Sequence, residues 1–251
     1  MNHGKQLLSA WRALDTSKKS LILPGDEEIR EYGDVLTSSE FAKKDQVVIP
    51  NRKFFLNLIP QPFAGKLLTA KVYVLLLNPG FGNLDLFAEE QSPEFRNKLI
   101  KTLGGQCPHL GFDPSLHWTG GFQWTTRKFR TLIEKVQNDR SWSMHKTLSF
   151  FAEHVATVEL VPYHSAHYHL SPKVVDRLKS VNLVRKFVVE DLARRAADGD
   201  CTIIVTRKAR EWGIRNGPNI LVYPPSESRS AHLSINTRGG KAILKQLEKI
   251  N

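Results

Sequence analysis

Cysteine and methionine are scarce in this chain, with two of each in 251 residues. Cys107 and Cys201 cannot by themselves make a disulfide framework, a four-cysteine zinc site or an iron–sulfur cluster. Long apolar runs are missing too. Val72 to Leu77 is the longest, far below the roughly 20 residues that span a bilayer. The N-terminus, MNHGKQLLSAWRALD, has neither a continuous apolar stretch nor a small-residue cleavage site, so it does not read as a secretory signal. A cytoplasmic protein without membrane attachment is expected. Acidic residues are the minority: 25 Asp+Glu stand against 36 Lys+Arg, a net charge of +11. That excess either attracts a polyanion such as nucleic acid or only keeps the chain soluble. With 41% hydrophobic residues the chain can bury a substantial core, which excludes disorder throughout.

Leu7, Leu8, Trp11 and Leu14 recur at helical spacing, and Thr37 with Glu40 forms a capping box before Phe41. Residues 1–65 otherwise carry scattered Pro and Gly and no chemical motif. They read as an N-terminal elaboration packed on a main domain of residues 66–251. From residue 70 the pattern is orderly. KVYVLLL (71–77) is a continuous apolar run, as a parallel strand covered on both faces requires, and it ends at Asn78-Pro79-Gly80. Ser92 and Pro93 open a helix running to about Leu103, and residues 106–124 suit an irregular loop with exposed rings. Helical patterns cover 125–138 and 144–154. Strands follow at 156–161, 201–205 and 219–223. Helical stretches lie between them, one of them breaking near Val181, and a last helix runs from Gly239 to Ile250. The alternation predicts an α/β fold: three αβα layers around a mostly parallel four-stranded central sheet.

In such sheets ligands bind beyond the carboxyl ends of the strands. The segments leaving the four strands are NPGFG, PYHSAHYH, TRKAREW and PPSESRSAHLS, and they hold most of the reactive polar side chains. Arg207 and Lys208 follow the third strand. Ser226, Ser228, Arg229, Ser230, His232 and Ser234 follow the fourth. Hydroxyls and guanidinium groups of this kind are typical phosphate ligands, so a nucleic-acid strand is expected to cross here.

LLLNPGFG resembles the water-activating motif of the uracil-DNA glycosylase superfamily, written G-x-N-P-G in its mismatch-specific and single-strand-selective branches and G-Q-D-P-Y in its main branch. PPSESRSAHLS resembles the second motif, H-P-S or N-P-S followed by a loop that enters the duplex. ELVPYHS and TIIVTRKAREWG fall where that fold places its other two strands, so the likeness spans roughly residues 70–250 in preserved order.

The resemblance implies a uracil-DNA glycosylase-like fold and a cofactor-free monomeric enzyme that flips a nucleotide out of DNA and hydrolyses its N-glycosidic bond. Asn78 would hold the water and Pro79 would fix the turn. Gly80 stands where the main branch has a Tyr that closes the pocket to larger bases, so a wider pocket is implied. Phe81 is the ring nearest to the motif for stacking the base, with Phe87, Trp118 and Trp124 as competitors. Glu159 either reaches the base edge or sits paired in the sheet, and Tyr163 is expected beside the base. Ser165 is expected on the DNA, and Leu233 is a candidate wedge for the vacated stack. The main-branch His before Pro-Ser is replaced by Pro224, so a donor to the leaving base would come from His164 or His232.

A rival reading uses His164, His167 and His169 as imidazole ligands of a metal hydrolase, although no nearby acidic residue completes a known spacing. A nonenzymatic nucleic-acid-binding member of the same fold is the other alternative. No phosphate-binding G-x-x-x-x-G-K-[ST] loop, no G-x-G-x-x-G turn at a strand end and no G-x-S-x-G elbow occurs.

Overall fold

A computed structural model describes residues 2–43, 53–228 and 233–250. Helix α1 (His3–Arg12) is followed by the short strand β1 (Gly33–Asp34), α2 (Ser38–Lys43) and β2 (Phe54–Phe55), which pairs with β1. The main sheet begins with β3 (Phe63–Ala64) and β4 (Val72–Leu76). Four helices then pass in series: α3 (Asn83–Gln91), α4 (Pro93–Thr102), α5 (Gly120–Arg140) and α6 (Met144–His154). Strand β5 (Val155–Glu159) leads to α7 (Pro172–Arg177), α8 (Lys179–Lys186), a π-helical turn at Phe187–Leu192 and α9 (Ala193–Ala197). The chain closes with β6 (Thr202–Val205), α10 (Ala209–Trp212), β7 (Ile220–Val222), α11 (Pro225–Ser228) and α12 (Arg238–Leu247).

The sheet has five strands in the order β3-β5-β4-β6-β7. β5, β4, β6 and β7 are parallel, whereas β3 runs antiparallel to β5 at the edge. The fold is therefore α/β with a mixed sheet, and the four-stranded expectation needs a fifth strand. That strand comes from the segment read as an elaboration; two residues long, it is too short to leave an alternation pattern. The same segment supplies Leu7, Trp11, Leu23 and Ile59 to the core cluster that also holds Tyr73, Leu75 and Val205.

Alternation along the strands sorts the core into two layers. Tyr73 and Leu75 of β4 face α1, α8 and the π-turn, while Val72 and Val74 face α5, α6 and α12. Local chemistry agrees with the helix ends. Ser92 Oγ accepts from Phe95 N at 3.3 Å with Pro93 in the first turn, and the Thr37–Glu40 capping box forms in both directions. The break expected near Val181 falls at Leu178 instead. Helix α3 was not expected: it follows a glycine-rich turn, and its acidic residues blur its apolar periodicity. Residues 106–124 are not an exposed loop throughout, because Phe112 is buried between Phe129 and Phe151. No helix among the described residues is long and apolar enough to cross a membrane.

Strand order and crossover direction place the site. From β4 the chain crosses to β5 on one side, then returns past β4 to β6 and moves outward to β7. Connections therefore diverge between the carboxyl ends of β4 and β6, where an open α/β sheet leaves a crevice.

Candidate active site

A cavity of about 650 Å³ opens at that crevice. Its floor is one face of the sheet. Leu76, Thr157, Glu159 and Thr206 lie on the α5 side because each is an even number of residues from Val74, its partner Thr157 or Ile204. Asn78, two residues beyond Leu76, shares that face. The turn at 109–111 and the start of α5 form the opposite wall, and α3 with α4 closes the front.

Asn78 is half-buried, and its amide orientation is set by its neighbours. Nδ2 donates to Pro79 O at 2.9 Å and to Ser165 Oγ at 2.9 Å, with Tyr163 O at 3.4 Å. Two of these partners are carbonyls that can only accept, so the nitrogen must point at them. Oδ1 is left as the acceptor on the cavity side, with no hydrogen-bond partner among the described residues.

The loop that carries Asn78 is tied down by the segment after β5. Ser165 N donates to Pro79 O at 3.2 Å, and Ser165 Oγ reaches His167 O at 3.2 Å. The His164 ring bridges Gly80 O at 2.9 Å and Ile59 O at 3.2 Å. Both partners are carbonyls that only accept, so whichever ring nitrogen carries a proton donates it to backbone, which gives His164 an anchoring contact rather than a free donor. Glu89 brackets the same stretch, accepting from Ile59 N at 3.0 Å and pairing with Arg96 at 2.8 Å. Burial raises the Glu89 pKa, while His164, the Ile59 amide and Arg96 pull the other way.

Burial shifts two more titratable groups in the wall toward their uncharged forms. Glu159 Oε2 is buried without a hydrogen-bond partner among the described residues, and desolvation pushes its carboxyl well above the ordinary 4.5. Of the two arrangements open from sequence, pairing in the sheet does not occur. His109 is forced down to about 4 by burial. Its Nδ1 accepts from Gly111 N at 3.0 Å, so Nε2 carries the proton and faces Thr157 Oγ1 at 3.1 Å. Charge is concentrated at the lip, where Arg127, Lys128 and Arg207 line the opening.

No family model, curated protein or solved structure matches the chain. The chemistry of the site rests on its own geometry.

Pro79, Gly80 and Phe81 line the cavity with Asn78. A Cβ at Gly80 would meet no atom within 4 Å, so the space there is open. Phe81 stacks on Phe55 with ring centroids 3.7 Å apart and is braced edge-on by Phe41. Of the competing rings, Trp124 lines the cavity and Phe87 and Trp118 do not.

Several residues are not placed as expected, although Ser165 and Leu233 do line the cavity. Tyr163 is buried on the opposite face of the sheet, donating to Asp26 Oδ2 at 2.7 Å and accepting from Leu23 N at 3.1 Å. It is a core residue, because its backbone carbonyl rather than its ring approaches Asn78. Ser165 is only 2% exposed and its hydroxyl serves Asn78, so DNA has no access to it. Leu233 lines the cavity but is only 2% exposed and belongs to the core cluster that holds Val74 and Ile243, so it does not project as a wedge. Lys208, in a left-handed conformation before α10, pairs with Glu211 at 2.7 Å and lies outside the cavity wall. Ser226 is exposed on α11, also off the wall, and Ser234 belongs to the turn capped by Thr237. Arg229, Ser230, His232 and the Ser228 side chain lie outside the described residues. His164, His167 and His169 do not converge: His169 stacks on Phe54, while His167 is exposed at the cavity edge. Among the described residues no group of three His, Cys, Asp or Glu is arranged to hold a metal.

Sequence reading missed His109, Thr157, Glu89 and the Arg127–Lys128 pair. The last had a legible signal, two cations one turn after Trp124 on a strongly periodic helix. The others depend on cross-strand register and on packing.

Proposed function

We propose that the protein is a monomeric cytoplasmic DNA glycosylase of the uracil-DNA glycosylase type, hydrolysing the N-glycosidic bond of a flipped-out uracil, a deaminated or mismatched base, or a modified pyrimidine. The observation that carries this reading is the Asn78 amide, locked by its nitrogen and offering its oxygen to a cavity at the carboxyl ends of the sheet. An oxygen held in this way accepts a hydrogen bond from water and so aims the water's lone pair at the anomeric carbon. The C1′–N bond breaks with its electron pair going to the base, and the water oxygen bonds to C1′ as the oxocarbenium-like sugar develops. The water proton is released to solvent, and the base is stabilised by hydrogen-bond donors.

Glu159 supports the reading as one such donor. A neutral carboxyl presents an O–H and a C=O side by side, complementary to an adjacent acceptor and donor on a base edge. Phe81, held by Phe55 and Phe41, offers a wall for the ring, and the open space at Gly80 admits bases larger than uracil. The cations at the lip suit a phosphodiester chain. The metal-hydrolase alternative is disfavoured by the divergence of the three histidines.

The test is incubation with end-labelled single- and double-stranded DNA carrying uracil, a T·G mismatch, hypoxanthine or 5-modified cytosines, followed by alkali. Strand scission at one class of base in the presence of chelator supports the reading. Tight binding without scission on any substrate would favour the nonenzymatic alternative.

A further inference from the structure

The threonine hydroxyls that line the cavity are not alike. Thr102, Thr119 and Thr206 each spend the hydroxyl proton on a backbone carbonyl, those of Leu99, Leu116 and Leu75 at 2.6, 2.8 and 2.8 Å. These three can only accept from a ligand. Thr157 is the reverse case. Its Oγ1 accepts from His109 Nε2 at 3.1 Å and makes no other hydrogen bond among the described residues, so its own proton is left for whatever fills the cavity.

The direction of that donor is fixed from behind. Gly111 N donates to His109 Nδ1 at 3.0 Å, which makes Nε2 the protonated nitrogen, and burial lowers the ring's pKa to about 4. The His109 backbone N donates to Ala152 O at 2.9 Å, and the ring meets Phe112 edge-on, so the imidazole is held in place. Gly111 N–H, His109 Nε2–H and Thr157 Oγ1–H thus form a chain of donors running in one direction, each bond polarising the next. Depth also fits. Thr157 pairs with Val74 of β4, four residues before Asn78 and about 13 Å away along an extended chain. A base whose glycosidic nitrogen lies beside the water on Asn78 extends its far edge toward that level, past Glu159.

When the C1′–N bond breaks, its electron pair enters the ring and is shared with the carbonyl oxygens. A preorganised donor at such an oxygen gains strength as the charge grows. We propose that Thr157 donates to the far carbonyl oxygen of the departing base and that His109 is the residue positioning its hydroxyl. The proton stays on Thr157 and only the hydrogen bond strengthens. The proposal rests on the glycosylase reading for the identity of the ligand. It fills the role left open by Pro224 and by His164, whose ring is committed to the carbonyls of Gly80 and Ile59.

The test measures single-turnover release of uracil and of 5-fluorouracil from a single-stranded oligonucleotide by the full chain and its variants. Thr157→Val keeps the shape and removes the proton; it should slow uracil release about 10²- to 10³-fold, with oligonucleotide affinity nearly unchanged. 5-Fluorouracil leaves as a weaker base and needs the donor less, so its loss should be at least about tenfold smaller. Thr157→Ser keeps the hydroxyl and should restore most of the rate. His109→Gln carries an N–H that can stand in for Nε2 and should fall between the parent and Thr157→Val; a parental rate would remove His109 from the positioning role. Damage to the fold would slow both bases alike, so equal losses on the two, or none, would overturn the proposal. Binding of free uracil, followed by ligand-observed NMR, is read independently of turnover, and Thr157→Val should weaken it about 2- to 12-fold. Such weakening in a chain that releases no base would sink the glycosylase reading and leave Thr157 as a donor to a bound carbonyl. Release indifferent to Thr157→Val would remove only this inference, and the absence of both release and Thr157-dependent binding would overturn both.

Discussion

Replacing Glu159 by Gln should raise stability in a way that grows with pH. The carboxyl is buried, its Oε2 has no partner among the described residues, and desolvation is the cause that lifts its pKa above 4.5. The sign follows from proton counts. Above pH 4.5 the unfolded chain has lost this proton while the folded chain keeps it, so raising the pH favours unfolding. One proton of difference is worth about 1.4 kcal/mol per pH unit. The stability contribution is complete below pH 4.5 and is lost progressively as pH climbs toward the folded-state value. Gln has the same shape and no such proton. The stability gap between Glu159→Gln and the parent should therefore widen by about 1.4 kcal/mol per unit over this window. For a chain of this size that is roughly 3–6 °C in Tm per unit. Glu89 and Asp26 are also raised by burial, but they are present in both proteins and cancel in the difference. The assay is urea unfolding at half-unit steps from pH 5 to 8. Parallel curves for the two proteins would show that Glu159 ionises normally in the fold, and its proposed role as a neutral donor would fall with that result.

Two other substitutions separate the cavity from its frame. Gly80→Tyr has room for its Cβ and should change stability by no more than about 0.5 kcal/mol; it should preserve release of the smallest accepted base while cutting release of larger ones more than tenfold, as single-turnover rates on matched substrates would show. Leu233→Ala should cost about 2–5 kcal/mol of stability by leaving a hole beside Val74 and Ile243; an unfolding curve unchanged from the parent's would mean that the side chain projects and could serve as a wedge after all.

The strands were legible because β4, β5 and β6 are almost wholly buried and dominated by apolar, largely β-branched residues. The capped helix at Ser92-Pro93 was legible because cap chemistry is local. Strand β3 was not, since two residues pairing at an edge leave no periodicity. The Asn78 turn could be found from Asn-Pro-Gly at a strand end, yet what fixes its amide comes from Tyr163 and Ser165, more than eighty residues away. Tyr163 was misplaced for a related reason. Pro162 interrupts the alternation after Glu159, so the face on which the ring falls cannot be counted forward from the strand. His164 carries the type of ring that catalysis uses, but the two carbonyls that occupy it belong to loops whose proximity only the fold creates.

The most direct measurement compares base release by the parent and by Asn78→Ala under single-turnover conditions, with DNA affinity measured alongside. Removing the oxygen that orients water should slow release by about 10²- to 10⁴-fold while affinity changes only a few-fold, because the cations of the lip are untouched. Release at the parental rate by the Ala variant would contradict the account.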